Sequence, residues 1–384
     1  MLISAPGKLF IAGEWAILEL GNPGIVASID KRVYVELDKI NNKKEKNKIL
    51  LTFEEIGTKN IEARFEDNEL KIFSKVKKET KEYMKFVKAA IEIALLYIRE
   101  FKPFKIRTWG KGTSIKMGKN LIKIGFGSSA ACTVATIASI LKFHNHDIES
   151  EDAKERIYKL ATIAHYIAQG KLGSGFDIAS SCYGGIFAYY RFDPNWLNER
   201  IEINNGKIVV KEDLKKIVDK KWPYFKIERL PMLKDFQLLV GWTGEKASTS
   251  EMIKRINEWR AKSGEEEYKA FCSNVNSLVN NLIIAWKKED KKKILELIRK
   301  NEEYLRELGK RADVNIETEK LRKLSEIANS LGGAGKLSGA GGGDCGIAIT
   351  FSKEIARKIK NNWKRDNIVP LDVSISKDGF KKEY

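Results

Sequence analysis

The sequence predicts an α+β protein of two domains, and three observations carry that reading. The chain has 384 residues, more than one ordinary hydrophobic core organises and enough for two that fold unaided. Its opening segment reads as strands joined in a hairpin. A strand pattern then starts afresh near residue 236, beyond a polar stretch, and is followed by a run of helices. Strands grouped with helices, instead of alternating with them one for one, argue for α+β layers over a doubly wound parallel sheet. The division is placed after residue 226, giving units of 1–226 and 227–384.

The elements follow in order. Apolar and polar positions alternate in "KLFIAGEWAIL" and "GIVASIDKRVYVEL", with "GNPG" as the turn between them. A helix is expected over 79–99 and a strand, "FKIRTW", over 104–109. Small and apolar residues fill 128–143 without a polar face, which predicts a buried helix. The next helix, 151–169, is amphipathic and opens in acidic residues, as a helix N-terminus prefers. "GGIFAYYRF", 184–192, reads as a strand. Past the polar stretch of 198–226 come the strand "FQLLVGW", three or four helices between 247 and 330, and a closing strand, helix and strand. There is no internal repeat and no low-complexity tail.

Hydrophobic residues make up 43% of the chain and charged residues 32%, with seven prolines, which excludes a largely disordered polymer. Seventy Lys and Arg against 52 Asp and Glu give a net charge of +18, compatible with nucleic acid, an anionic membrane or small polyanionic substrates. The densest basic runs, at 41–48, 75–85 and 287–293, are interspersed with acids and lack the interleaved aromatics that stacking on nucleic acid requires, so they read as solvated surface. Lys with Glu in such abundance also suits a protein from a hot environment. Cys132, Cys182, Cys272 and Cys345 form no CxxC pair, so neither a zinc site nor a disulfide framework is indicated. "MLISAPGKLFIAG" is broken by Pro6, Gly7 and Lys8 and does not read as a signal peptide, and no apolar run approaches membrane-spanning length. A cytoplasmic protein is expected.

Three glycine-rich places stand out. In "IGFGSSAACTVATIAS", 124–139, Gly125 and Gly127 are expected to adopt backbone conformations closed to other residues, and Ser128, Ser129, Ala130 and Ala131 open a helix whose first N–H groups lack internal partners. Those amides and the positive end of the helix dipole suit a phosphate, although close packing of a buried helix would also explain the small residues. The segment is not a Walker A motif, which needs Gly-Lys followed by Ser or Thr. It fails as a dinucleotide fingerprint because no strand precedes it. In "GKLGSGFDIASSCYGG", 170–185, Asp177 follows three glycines, where Asp also commonly caps a helix. In "LSGAGGGDCGIAI", 337–349, five glycines surround Ala340 and Asp344, a cost in backbone entropy that suggests close approach to a ligand.

These segments in this order, with "APGKLFIAGEWAIL" at 5–18, resemble the GHMP kinases. The resemblance spans Ala5 to Ile349, and in detail it is to members whose acceptor is phosphomevalonate. It implies an N-terminal domain like ribosomal protein S5, a ferredoxin-like C-terminal domain, and an active site in the cleft between them. It implies ATP as phosphoryl donor and magnesium as its ion. Gly125, Gly127, Ser128, Ser129 and Ala130 would bind ATP, and Ser129 would reach the metal. Lys8 and Asp177 match the pair that flanks the transferred group. Gly339, Ala340 and Gly341 match the third motif, and Lys111, Lys171, Ser174, Trp242, Ser248 and Thr249 are candidate acceptor contacts. Partners are then a small phosphorylated molecule, with no nucleic acid and no membrane, and the protein a monomer or homodimer. The alternatives are a kinase of the same family for mevalonate or homoserine, and a non-catalytic ligand- or nucleic-acid-binding member of the fold.

Residue chemistry agrees with the resemblance, since phosphoryl transfer asks for positioning and charge neutralisation more than for covalent chemistry. One departure is plain. Where mevalonate kinases carry a magnesium-binding Glu, eleven positions before the catalytic Asp, this chain has Tyr166, with His165 beside it. The ion is then expected to rest on Ser129, ATP oxygens and water. His144 and His146 read as a loop after a helix more readily than as metal ligands. Cys345 reads as a small buried thiol.

Overall fold

The computed structural model describes residues 1–41, 47–117, 120–170, 173–204, 207–245 and 248–383. The two opening strands are Leu2–Ala12 and Pro23–Lys39, antiparallel with Lys8 opposite Ser28. Among the described residues they belong to a nine-stranded sheet. Leu2–Ala12 runs along one edge of Pro23–Lys39, and the other edge takes Phe104–Lys111 over residues 32–39 and Ile186–Tyr190 over residues 23–27. The buried faces of these strands carry Ile3, Ala5, Phe10, Val26, Val33 and Val35.

The helix Ser128–Phe143 is buried along nearly its whole length, as its small and apolar residues dictate. It packs on both opening strands and on the helices Lys78–Ile98 and Glu151–Ala168. Its position matters for function, because its N-terminus points out of the core beside the first strand: the Lys8 N–H donates to Phe126 O at 2.9 Å. Gly7 is glycine for the same reason, since a Cβ there would lie 2.6 Å from Phe126 O.

The second sheet has four strands in the order Ala334–Leu337, Cys345–Thr350, Gln237–Trp242, Val369–Leu371, all antiparallel. In chain order that is 2-3-1-4, the ferredoxin-like arrangement expected. Its long helices are Thr249–Trp259, Glu265–Lys287, Lys291–Arg311, Glu319–Ser330 and Lys353–Arg365. The strand Lys226–Leu230 pairs with Tyr190–Ile186 in the first sheet, so that sheet continues past residue 226. The C-terminal end also returns to it: Lys381 and Lys382 pair with Ser4 and Ile3.

Candidate active site

The strand Leu2–Ala12 is the common wall on which all three glycine-rich segments meet. Lys8 leaves it with its Nζ donating to Gly125 O at 2.8 Å. Phe10 is hydrogen-bonded through both N–H and C=O to the Ser338 hydroxyl of the third segment, each at 2.9 Å. The second segment is sewn on by its two serines: Ser180 Oγ donates to Gly7 O at 3.0 Å and Ser181 Oγ to Pro6 O at 2.9 Å. Those bonds fix the helix Phe176–Tyr183, and with it Asp177 in the first turn.

Gly127 stands between the two expected catalytic side chains. It has φ +75°, and a Cβ there would sit 3.0 Å from Lys8 Cγ and 3.7 Å from Asp177 Cβ. The left-handed conformation and the crowding together require glycine. Gly125 corrects its expectation: it does not occur among the glycines of positive φ, and what it supplies is room, because a Cβ there would lie 2.0 Å from Asp344 Oδ2. That oxygen accepts the Gly125 N–H at 2.8 Å.

Two cavities open from Lys8. The larger, about 590 Å³, is walled by Gly125, Gly127, Ser128, Ser129, Trp242, Glu245 and Asp344. Ser128 Oγ is buried there without a hydrogen-bond partner among the described residues, a hydroxyl available to a ligand. The helix-opening amides face the same way, and Ala130, whose methyl is buried in the core, has only its N–H to offer. The smaller cavity, about 160 Å³, is lined by Ser174, Thr249, Gly339 and Ala340 together with Glu14, Trp15 and Phe176. Arg191 braces its wall, donating to Leu18 O at 2.7 Å and Gly173 O at 3.1 Å. Lys8 belongs to both linings.

Not every expected acceptor contact reaches the smaller cavity. Trp242 is on the wall of the larger one. Lys111 ends its strand exposed to solvent and lines neither, and Ser248, also exposed, precedes the helix that Thr249 begins without a side-chain capping bond to it. Gly341 faces the body of the second domain, where a Cβ would lie 2.1 Å from Ile316 O. Lys171 lies outside the described residues.

Three residues with clear roles in the geometry carried little sequence signal. Trp15 adopts φ 64°, strained for so bulky a side chain, and its Nε1 donates to Ala340 O at 3.1 Å. It holds the third segment against the smaller cavity. His165 is buried, with Nε2 at 3.2 Å from Ser129 Oγ and 3.9 Å from Asp177 Oδ2. Burial pushes its pKa down, against the pull of Asp177, so the ring is neutral near pH 7. Asp344, quoted above only as part of its segment, is held up in pKa by burial, opposed by Lys8 and the Gly125 N–H.

The chain is similar to known proteins over nearly its whole length. Residues 85–185 match the family model described as GHMP kinases N terminal domain, and residues 282–368 that described as GHMP kinases C terminal. Over 382 residues the chain is 30% identical to the phosphomevalonate kinase of Streptomyces sp. strain CL190, covering 98% of this chain and 97% of that protein. It is 28% identical over 390 residues to the mevalonate kinase of Pyrococcus abyssi, covering 100% and 98%. The solved structure of Streptococcus pneumoniae phosphomevalonate kinase in complex with phosphomevalonate and AMPPNP superposes with a TM-score of 0.75 at 25% identity, covering 98% of this chain and 99% of that one. The chain belongs to the GHMP kinase family. It is an ATP-dependent kinase of small molecules with the two-domain α+β fold of that family. No helix among the described residues is long and apolar enough to cross a membrane.

Proposed function

We propose that this kinase transfers the γ-phosphoryl group of ATP to phosphomevalonate, giving diphosphomevalonate in isoprenoid biosynthesis. The observation that carries the reading is the place of Lys8, shared between a large cleft walled by helix-opening amides and a small cavity walled by the third glycine-rich segment. A triphosphate in the first and an acceptor in the second would meet at its ammonium group. The 30% identity to a phosphomevalonate kinase, with Tyr166 where mevalonate kinases place a metal-binding Glu, favours the phosphorylated acceptor.

In this mechanism the bond from the γ-phosphorus to the leaving oxygen of ADP breaks as one forms to an oxygen of the acceptor phosphate. The amides of Gly127, Ser128, Ser129 and Ala130 bind the triphosphate, and Lys8 neutralises the group in transfer. The second pKa of the acceptor phosphate is about 6, so its oxygen is mostly deprotonated near neutral pH. Asp177 then orients Lys8 and the acceptor without abstracting a proton. Among the described residues no group of three or more His, Cys, Asp or Glu is placed to hold a metal ion, and Ser129, which shares the cleft wall with Ser128, Glu245 and Asp344, would offer the ion its Oγ. That fits magnesium, which keeps several waters and binds largely through phosphate oxygens. When bound it would supply further charge neutralisation.

The test is ADP release with phosphomevalonate, mevalonate, homoserine and galactose as acceptors, with salt-dependent nucleic-acid binding measured in parallel. Phosphomevalonate is expected to exceed the others in kcat/KM by about 100-fold or more. A preference for mevalonate would reassign the acceptor. No turnover with any of the four, alongside tight nucleic-acid binding, would end the kinase reading.

A further inference from the structure

Gly125 is pinned from both sides by residues of different domains. Its C=O accepts from Lys8 Nζ at 2.8 Å, and its N–H donates to Asp344 Oδ2 at 2.8 Å across 219 positions of chain. We propose that Asp344 is a positioning residue for phosphoryl transfer, which reaches from the third glycine-rich segment to hold the Gly125 N–H and, through the backbone of that residue, the carbonyl that accepts from the ammonium group of Lys8. The proposal rests on the kinase reading above.

Asp344 is itself firmly held. Its carbonyl accepts from the Thr243 N–H at 2.8 Å and from Thr243 Oγ1 at 3.1 Å, and its N–H donates to Glu245 O at 2.9 Å. The residue has φ 57°, in the left-handed region that Asp tolerates better than most side chains. The backbone of the second domain thus sets where the carboxylate stands. A carboxylate on the wall of a cleft that takes a triphosphate is unfavourable on charge alone. What offsets this is the geometry it imposes: a charge-assisted bond to the N–H of a residue whose C=O accepts from Lys8.

Gly125 supplies the complementary half of the argument. Its φ is not one that needs glycine, yet a Cβ would lie 2.0 Å from Asp344 Oδ2. The missing side chain is therefore space for the carboxylate. Because one end of the bond comes from each domain, the phosphate loop and Lys8 are in register only when the second domain is seated against the first.

The experiment is steady-state kinetics of the full-length enzyme with Asp344→Ala, Asp344→Asn, Gly125→Ala and the Asp344→Ala, Gly125→Ala double variant, with nucleotide Kd measured by fluorescence without acceptor. Loss of a hydrogen bond to a charged group predicts that Asp344→Ala lowers kcat by about 10- to 100-fold. Nucleotide Kd should move by less than about threefold, since the helix-opening amides remain. Asp344→Asn keeps an acceptor oxygen and should stay within about threefold of wild type. Gly125→Ala, which displaces the carboxylate from the opposite side, should reproduce the Asp344→Ala defect, and the double variant should be no worse than either single one. The proposal is overturned if Asp344→Ala retains full kcat, if Asp344→Asn is as impaired as Asp344→Ala, or if the two defects multiply. If Asp344→Ala does not fold, the Asn and Gly125→Ala variants decide alone. Wild type that turns over no acceptor overturns the kinase reading and this proposal together, whereas a turning-over wild type with an indifferent Asp344→Ala overturns only this one.

Discussion

The Ser129 hydroxyl lies 3.2 Å from Nε2 of the buried His165, whose ring stacks on Phe86 with centroids 4.9 Å apart. In the neutral tautomer protonated at Nδ1, Nε2 would accept the Ser129 O–H and leave an Oγ lone pair for the cleft, where the proposed magnesium would be. Groups that orient a metal ligand in this way are worth about 10- to 100-fold in metal affinity. His165→Ala should therefore raise the magnesium concentration for half-maximal activity by about tenfold, with a smaller change in kcat, and His165→Gln should recover part of the loss. Magnesium titration at saturating ATP checks it, with direct manganese binding as the readout that does not need turnover. An unchanged metal requirement in the Ala variant would separate His165 from Ser129.

Lys8 is only half-buried, and its Nζ makes a bond to Gly125 O at a site that solvent reaches. Its removal is thus expected to cost catalysis far more than stability. Lys8→Met should lower kcat by about 100- to 1,000-fold, the usual loss for one donor aimed at developing charge. Its melting temperature should stay within a few degrees of wild type, about the effect of one exposed hydrogen bond. Turnover and thermal unfolding of the same preparation decide it, and a large drop in both would make Lys8 structural.

The legible and illegible parts of this site divide along physical lines. The helix Ser128–Phe143 is readable because a run of small and apolar residues with no polar face can only be buried, and the N-terminus it implies is where the amides are found. Lys8, Gly127, Ser129 and Asp177 stand out in the sequence because their segments carry a family pattern; the structure puts Lys8, Gly127 and Ser129 on one cleft wall and Asp177 behind Gly127, lining neither cavity. Lys111 and Ser248 show the limit of charge and hydroxyl chemistry alone, since their places depend on where a strand and a helix end. The strands Thr58–Glu66 and Glu69–Ile72 are masked by their Lys and Glu, which cover an edge exposed to water. The contacts of Gly125 with Asp344 and of Ser129 with His165 are 219 and 36 positions apart in the chain, and no local spacing encodes them.

Asp177 tests the chemistry of the acceptor. Its Oδ1 accepts the N–H of Ile178, so part of the carboxylate is already engaged in holding its own helix. If it orients and does not abstract a proton, Asp177→Asn should cost about tenfold or less in kcat. The pH dependence of kcat/KM should then follow ionisation of the acceptor phosphate at about 6 in both proteins. A loss of several orders of magnitude that tracked one enzyme group would make Asp177 the base, and would point to an alcohol acceptor in place of a phosphate.

The floor of the smaller cavity is tied to the second domain by buried charge, and this sets how stability responds to pH. Lys336 Nζ is bonded to Glu14, which lines that cavity, and donates to Leu337 O at 2.6 Å. Nearby, Glu302 accepts the Leu337 N–H at 3.1 Å and the Ser325 hydroxyl at 3.1 Å. Glu317, held by Arg306 and Arg322, faces the same group. Burial pushes the Glu302 carboxyl up to about 8, against the attraction of Lys336. A carboxyl whose pKa is higher folded than unfolded contributes stability that is complete below the unfolded value, about 4.5, and is lost as pH rises through the folded one. Wild type should accordingly become easier to denature between about pH 5 and about pH 8, while Glu302→Gln, which cannot ionise, should lack that slope. At about pH 9 the Gln variant should be the more stable by about 1 to 4 kcal/mol, the range for relieving an ill-compensated buried charge. Denaturation midpoints at about pH 6 and about pH 9 measure the difference, and parallel pH profiles for the two proteins would show that Glu302 is ionised in the native state.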